Sequence, residues 1–446
     1  MRRHDSLPVV PAPTDPLLPR PATPPATPTG HLRDADRALV WVLGVGAAVE
    51  ADLSTLGEPG RGLLAEAEVV LGGRRHLAAL DALGPAPSGQ ERVAWPSPLA
   101  EELPGLLTRV AGRRVVVLAS GDPMVSGIGT TLVGLLGAEA VRVVPAVSSV
   151  ALARAAMGWS AEESVVVTLV GRAEAALLRE VAPGRRMLLL TSGSASPAVV
   201  GALLTGAGQG DAPVTLLGEL GGAQESRRTL SARDWMDVPA DEVPALHVLA
   251  VDLPATGTWR SAWVAGLPDE AFEHDGQLTK RDLRASALAR LAPAPGQHLW
   301  DVGAGAGSVG IEWMRSHPTC TTTAVEGDPV RAERVARNAA ALGVPGLQVV
   351  HGRAPDALAG LAAPDAVFIG GGATRPGVLE TCRRALAPAG RLVVHGVTVE
   401  TEVLLAEAYR THGGELTRIA VETTAPVGTF TGWTPARTVT QWAWQA

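Results

Sequence analysis

In WDVGAGAGSVG, residues 300–310, Asp301, Gly303, Gly305 and Gly307 alternate with other residues between an apolar run and an amphipathic one, so the segment reads as a buried strand turning into a helix. A pyrophosphate needs close backbone approach at a helix N-terminus, which G-x-G-x-x-G spacing provides and this spacing does not. The tighter turn lets a ligand lie flat across the strand ends, and Asp301 beside it would repel a phosphate but suit an amino group. At the end of the next strand, in TTAVEGD, Glu326 is placed to accept from both hydroxyls of a ribose. GRAPDAL, residues 352–358, would then carry Ala354 beneath an adenine, and PDAVFIGG, residues 364–371, makes a fourth strand opening at the same edge. Amino group, ribose and adenine without phosphate describe S-adenosylmethionine; a nucleotide-sugar or NAD-binding Rossmann domain is the alternative.

A second glycine turn stands in ASGDPMVSGIGTTL, residues 119–132, where Gly121, Asp122 and Gly127 follow a Val-rich strand and lead into a helix. It lacks the G-K-[ST] ending of a phosphate-binding P-loop. Glycines here also suit a turn that needs positive φ with no ligand present. The strand ALVWVLGVG ends in Gly44 and Gly46, and PAVSSVALARAAMGW supplies Ser148 and Ser149 at a helix start.

These residues need parallel strands to position them. Short Val/Leu runs begin near residues 38, 113, 141, 164, 185, 212 and 245, with Ala/Leu-rich helical stretches between several of them. Such alternation predicts parallel sheets covered by helices. Periodicity lapses over PATGTWRSAWVAGLPDE and restarts with a helix at KRDLRASALARLA, followed by strands near 298, 320, 348, 366 and 391, the last read to Glu400. ELTRIAVETT (415–424) and ARTVTQWAWQA (436–446), with no helix evident between them, predict an antiparallel hairpin closing the sheet. The organisation expected is a Pro-rich tail over 1–37, an α/β unit of two lobes over 38–253, a linker over 254–265 and a Rossmann-like α/β unit over 266–446.

At 446 residues the chain exceeds what one core usually serves. A net charge of −7 argues against a nucleic-acid binder, and an anionic substrate would need local arginines. Cys320 and Cys382 form no C-x-x-C motif, so neither a disulfide framework nor a metal is expected. Prolines interrupt the first thirty residues, no apolar run is long enough for a membrane span, and a cytoplasmic protein is expected. A [DN]-P-P-[FY] run is missing where IGGGA ends the fourth strand, and no Pro-Cys offers an RNA-methylating thiolate.

GLPDEAFEHDGQLTKRDLRASAL, LWDVGAGAGSVGIEW, GRAPDAL, PDAVFIGG and VTVET together resemble the decarboxylating precorrin methyltransferase domain. ASGDPMVSGIGTTL, PAVSSVALARAAMGW, TLVGR, GELGGAQESRRTL and EVPALHVLAVDL resemble, in order and spacing, the tetrapyrrole methylase family and its branch acting on precorrin-6-type substrates. Ala47 stands where that family has proline, which puts first-site activity in question. The resemblance implies two S-adenosylmethionine sites, one per half. It assigns C5 methylation to the first half, and C15 methylation with loss of the C12 acetate carboxyl to the second.

It also implies that Thr279 touches the cofactor, although Thr279 and Asp282 read equally as a helix-capping pair. The decarboxylation needs a proton donor, for which His274, Lys280, His351 and His395 are candidates, with Asp275 or Glu400 behind them. Arg172, Arg281 and Arg375 are the candidates for substrate carboxylates, with Arg74, Arg75 and Arg284 as further basic residues that also read as surface charge. A tetrapyrrole is the expected partner, with no nucleic acid or membrane, in a homo-oligomer. The rival readings are a methyltransferase of RNA or another substrate and a non-catalytic S-adenosylmethionine-binding regulator.

Overall fold

The computed structural model describes residues 40–46, 53, 56–255 and 263–446. The expected tail, Ala47 and residues 256–262 of the expected linker lie outside them.

Three large sheets and a two-stranded ribbon are formed by the described residues. The first contains β1 (Val40–Val45), β2 (Val69–Gly72), β3 (Glu91–Ala94), β4 (Val115–Ser120) and β5 (Val141–Val144), with helices α1 (Glu58–Glu66), α2 (Arg74–Leu83), α3 (Leu99–Arg109) and α4 (Ile128–Leu136). Its order is β3-β2-β4-β1-β5, and every pair is parallel. β1 and β4 are apolar along their length because helices cover both faces.

The second sheet follows α5 (Ser149–Met157) and holds β6 (Ser164–Thr168), β7 (Arg186–Leu190), β8 (Pro213–Gly218), β9 (Ser226–Ser231) and β10 (His247–Asp252), with α6 (Ser196–Gly206) between β7 and β8. Its order, β6-β7-β10-β8-β9, departs from the expected parallel sheet: only β6 and β7 run parallel. An apolar run shows that a strand is buried on both faces, not which way its neighbours run.

The last part of the chain runs α7 (Arg281–Leu291), β11 (His298–Val302), α8 (Ser308–Ser316), β12 (Thr321–Glu326), α9 (Pro329–Ala341), β13 (Gln348–His351), β14 (Ala366–Ile369), α10 (Val378–Ala385), β15 (Arg391–Gly396), α11 (Val399–His412), β16 (Glu415–Ile419), β17 (Glu422–Val427), β18 (Phe430–Pro435) and β19 (Val439–Gln445), and all of its strands but β17 and β18 form the third sheet. The order β13-β12-β11-β14-β15-β19-β16 is that of a Rossmann-like sheet extended by an antiparallel pair. β16 and β19 form the expected closing pair, with Glu415 opposite Ala443. Between them β17 and β18 make a separate ribbon that leaves Phe430 and Trp433 exposed. The strand read to Glu400 stops at Gly396, because Thr398 Oγ1 accepts the Thr401 N–H at 3.3 Å and starts α11.

Trp263 ties this half to the first, donating its indole N–H to the Arg179 carbonyl at 3.2 Å while the Arg185 guanidinium stacks on its ring at 4.7 Å. No helix of the described residues is long and apolar enough to cross a membrane. Among those residues no cluster of three or more His, Cys, Asp or Glu is placed to hold a metal.

Candidate active sites

The second half holds a cavity of about 600 Å3 over the carboxyl ends of β11, β12, β13 and β14. Strand order reverses at β11, which pairs with β12 on one side and β14 on the other, and ligands of open α/β sheets bind at that point. Gly303 has φ +68, and a Cβ there would lie 2.8 Å from the Gly371 carbonyl oxygen; at Gly305, φ +60, it would lie 2.8 Å from that of Gln277. The turn can therefore be built only without side chains, which leaves a bare backbone floor. Glu326 closes one side: its Oε2 accepts the Gly305 N–H at 2.8 Å and its Oε1 the Asp328 N–H at 3.0 Å. Each oxygen keeps acceptor capacity toward the cavity.

Thr279, Lys280, Gly303, Gly305, Glu326, Ala354, Arg375 and His395 all line this space. Asp301 does not. It is 1% exposed and its Oδ2 accepts the Gly310 N–H at 2.9 Å, so it caps the first turn of α8 from below. Burial pushes its carboxyl up to about 7, against the lowering effect of that hydrogen bond. Asp301 thus faces the start of α8, whereas the expectation had it beside the ligand. Gly307 is likewise outside the lining, at the N-cap of α8.

The expected Thr279–Asp282 cap is not formed, since α7 begins after Lys280 with no side-chain cap. What places Thr279 is Arg284, a further correction because its side chain is wholly buried rather than on a solvated face. Its guanidinium pairs with Glu312 at 2.8 Å, donates to the Thr279 carbonyl at 2.5 Å and stacks on Phe272 at 4.8 Å. Glu312 in turn accepts the Gly266 and Leu267 N–H groups at 2.7 and 2.8 Å. One buried ion pair thus holds the segment before α7 against α8 and keeps Thr279 at the cavity edge.

Of the proposed proton donors, His274 accepts the Gly276 N–H at 3.1 Å in a turn outside the lining, and His351 is exposed at the end of β13, also outside it. Asp275 is held far below the usual carboxylate range by hydrogen bonds, first from Arg331 and then from the Gln277 N–H. Glu400 is exposed in the first turn of α11. His395 does reach the cavity. Burial lowers its imidazole to about 4, so at neutral pH it is uncharged and carries no spare proton. Its Nε2 lies 2.8 Å from the Gln441 amide, and its ring packs edge-on against Phe368 at 5.0 Å. With the Gln441 nitrogen turned toward Nε2, the amide oxygen accepts from Arg290 at 3.0 Å, which puts the imidazole hydrogen on Nδ1.

Lys280, Arg331, Arg353 and Arg375 surround the opening against the single carboxylate of Glu326. Arg331 is committed to Asp275 at 2.9 Å, and Lys280 lies 3.6 Å from Asp269. Arg172 and Arg281 are exposed and line neither cavity, so only Arg375 of the three expected carboxylate ligands stands at a site. Arg353 escaped the reading because it lies inside the GRAPDAL turn, where attention fell on the backbone.

The first half holds a smaller cavity, about 360 Å3, between its two sheets. Gly127 and Ser149 line it; Gly44, Gly46, Gly121, Asp122 and Ser148 do not. Gly44 and Gly121 instead pack β1 against its neighbouring turns. A Cβ on Gly44 would sit 2.3 Å from the Gly121 carbonyl oxygen and 2.5 Å from the Ala146 nitrogen, so β1 and the two turns beside it touch through bare backbone. Asp122 Oδ1 accepts the Met124 N–H at 2.8 Å, closing its turn, and Ser148 Oγ accepts the Ala151 N–H at 3.1 Å, capping α5.

The walls bring together Arg75 and His76 of α2 and Ser120 at the end of β4 with Thr191, Glu219 and His247 from the lobe of the second sheet. Ser120 Oγ accepts from Arg75 and lies 3.0 Å from His76 Nε2. Burial, then the Arg75 charge, lowers His76 to about 4. His247 gives Nδ1–H to the Pro244 carbonyl at 2.7 Å, which leaves Nε2 to accept from Thr191 at 2.9 Å. Arg75 apart, none of these was singled out from sequence, since they come from segments up to 172 residues apart, Arg75 to His247.

Two family models match the chain: Tetrapyrrole (Corrin/Porphyrin) Methylases over residues 40–234 and Precorrin methyltransferase domain over residues 270–446. A precorrin-6Y C(5,15)-methyltransferase [decarboxylating] of Sinorhizobium sp is 43% identical over 404 residues, covering 90% of this chain and 95% of that one. One of Mycobacterium tuberculosis (strain CDC 1551 / Oshkosh) is 43% identical over 406 residues, 91% of this chain and 99% of that one. The crystal structure of the C-terminal domain of precorrin-6Y C5,15-methyltransferase from Rhodobacter capsulatus is 41% identical, covering 42% of this chain and all of that one, at a TM-score of 0.40. The chain belongs to the precorrin-6Y C(5,15)-methyltransferase (decarboxylating) family.

Proposed function

We propose that the chain methylates precorrin-6Y, also called precorrin-6B, at C5 and C15 and removes the carboxyl of the C12 acetate, giving precorrin-8 in cobalamin biosynthesis. The observation that carries this is the second-half cavity, where a side-chain-free turn, one carboxylate and a rim of four cations meet at the switch point of the sheet. A flat, many-carboxylate macrocycle suits that rim, and the residues present fit S-adenosylmethionine. Glu326 faces the cavity to accept from ribose hydroxyls, and the bare turn at Gly303 and Gly305 leaves room for the ligand to lie across it. When bound, S-adenosylmethionine supplies an electrophilic methyl group on a sulfonium.

The protein's part is alignment and exclusion of water. Lys280, Arg353 and Arg375 hold substrate carboxylates at the opening. For the decarboxylation, the electron pair of the broken C–C bond passes into the conjugated macrocycle, and the exocyclic carbon then takes a proton. Lys280 is the group that delivers it, while the neutral His395 orients the ring edge by hydrogen bonding. In the first half, the cavity between the sheets, lined by Gly127 and Ser149 among others, takes a second S-adenosylmethionine and serves C5. The reaction runs in the cytoplasm, and a homo-oligomer would cover the exposed Phe430 and Trp433 of the ribbon.

The test is the product mass after incubation with precorrin-6Y and S-adenosylmethionine. Two methyl groups gained with one carbon dioxide lost support both sites. One methyl gained with carbon dioxide lost leaves the first half without its assigned activity. Bound cofactor with no change in mass favours the regulatory reading.

A further inference from the structure

Glu219 stands in the turn between β8 and β9, on the wall of the first-half cavity. Its φ is +50, a conformation that side chains with a Cβ disfavour. The backbone is fixed on both sides, with its N–H donating to the Leu246 carbonyl at 3.0 Å and its carbonyl accepting the Gly222 N–H at 2.9 Å. Oε2 of its carboxylate is buried and has no hydrogen-bond partner. A buried acceptor left without a donor is costly, and one held there by a strained backbone asks what donor it awaits.

No donor on the wall, Arg75, Trp95, Ser126 and Ser149 included, makes a hydrogen bond to that oxygen. His247 and Thr191 satisfy each other, and Ser120 is held between Arg75 and His76. Arg75 lies close enough for the Glu219 carboxylate to act on its guanidinium electrostatically. The missing donor therefore belongs to a ligand in the cavity, and it must be an N–H or O–H that reaches the wall supplied by the second lobe.

This inference rests on C5 methylation in the first half, and it assigns that step a residue. We propose that Glu219 is the base that receives the proton released when the macrocycle is methylated there. A meso carbon that forms a C–C bond to the sulfonium methyl leaves the sulfur as a neutral thioether, its C–S bond broken and the electron pair kept on sulfur. The macrocycle is left with one added positive charge, shared with a ring N–H. That N–H bond breaks toward Glu219 Oε2, the electron pair stays on nitrogen, and the macrocycle is neutralised. The carboxylic acid formed then gives its proton to water, and the carboxylate is restored.

Strain separates a base from a structural residue. Glycine adopts φ +50 freely, so Glu219→Gly removes the strain with the carboxylate, while Glu219→Gln keeps shape and strain but not basicity. With precorrin-6Y and the full chain, wild type is expected to gain two methyl groups. Both variants are expected to lose C5 methylation by roughly 10²- to 10⁴-fold in kcat, the usual worth of a positioned base, with KM for the tetrapyrrole unchanged. C15 methylation and carbon dioxide loss persist, the melting temperature of Glu219→Gly equals or exceeds that of wild type, and S-adenosylmethionine binds with wild-type stoichiometry in calorimetry. The low-pH limb of the C5 rate profile also disappears in Glu219→Gln.

A Glu219→Gly enzyme that keeps full C5 activity overturns the proposal, as does a Glu219→Gln enzyme changed only in KM or in S-adenosylmethionine binding. A wild type that leaves C5 unmethylated fails at the underlying assignment instead, before Glu219 is tested.

Discussion

In the second half one sheet builds the floor of the site: Gly303, Glu326, Gly352 and Gly370 follow or end neighbouring strands, and the row of their carboxyl ends carries the ligand. In the first half two sheets share the work. Gly127 and Ser120 come from one lobe and Glu219 and His247 from the other, with the cavity in the seam. The floor of the first arrangement is fixed by strand register, which pairs Asp301 with Ala324 and with Phe368. The second depends on how two lobes are set against each other. Sites of the second kind tolerate change in one lobe only if the other follows, so the halves should respond differently to comparable damage.

The largest difference is expected from Arg284. Truncating it to alanine strands Glu312 in the core and frees the Thr279 segment, and removing one partner of a buried pair costs about 3–5 kcal/mol. Urea unfolding of the full chain should then show the second half melting early while the first keeps its midpoint. A shift of both midpoints together would mean that the halves fold as one unit and that the comparison is wrong.

Next come the two glycines. Gly303→Ala puts a methyl 2.8 Å from a carbonyl oxygen at φ +68, and Gly44→Ala puts one 2.3 Å from another. Misplacement of about 1 Å in a site costs on the order of 10²-fold. Gly303→Ala is expected to remove C15 methylation and carbon dioxide release but not C5 methylation, and Gly44→Ala the converse, read as product masses. Loss of both methyl groups from either variant would show that the sites are coupled.

The same contrast decided what could be read from the chain. A one-sheet site is written in contiguous motifs, so the turn at 303 and the acid at 326 were legible from spacing, as was the closing pair of β16 and β19. Asp301 was legible as part of the turn but not as buried, because nothing local tells which way a carboxylate at a strand end points. Arg284 looked like any charge on a polar helix; its partner Glu312 is 28 residues away and equally unremarkable. The short strands β2 and β3 escaped because four residues carry little periodicity. The second-lobe sheet direction escaped because burial hides polarity of the chain. For Glu219 the only signal is a backbone angle, which no composition reveals.

Each half also buries one histidine with its imidazole lowered to about 4, His76 in the first and His395 in the second. The sign follows from burial. The folded state resists protonation while the unfolded chain takes a proton near 6.5, so stability is full above that value and is lost as pH falls toward 4. His395, the more deeply buried, should cost its half about 2 kcal/mol at pH 5. Unfolding midpoints at pH 7 and pH 5 should therefore fall for wild type, and fall less in the second half of His395→Asn. An equal fall in both proteins would remove His395 as the cause.

The smallest effect, and the one that bears most directly on the proposal of a cofactor in each cavity, is expected from Glu326→Gln. Each carboxylate oxygen now accepts one backbone N–H, from Gly305 and from Asp328. An amide has one oxygen, so one of those N–H groups would face an NH2, and the turn or the next helix start must give way. Loss of a charge-assisted acceptor in a partly open site weakens binding by about tenfold rather than abolishing it. Calorimetric titration of the full chain with S-adenosylmethionine should show one site weakened and one unchanged, since the first cavity uses none of these residues. Two sites weakened alike would mean that cofactor binding in the halves is linked. No change in either would mean that Glu326 serves only to brace the turn, and the ribose would need another acceptor.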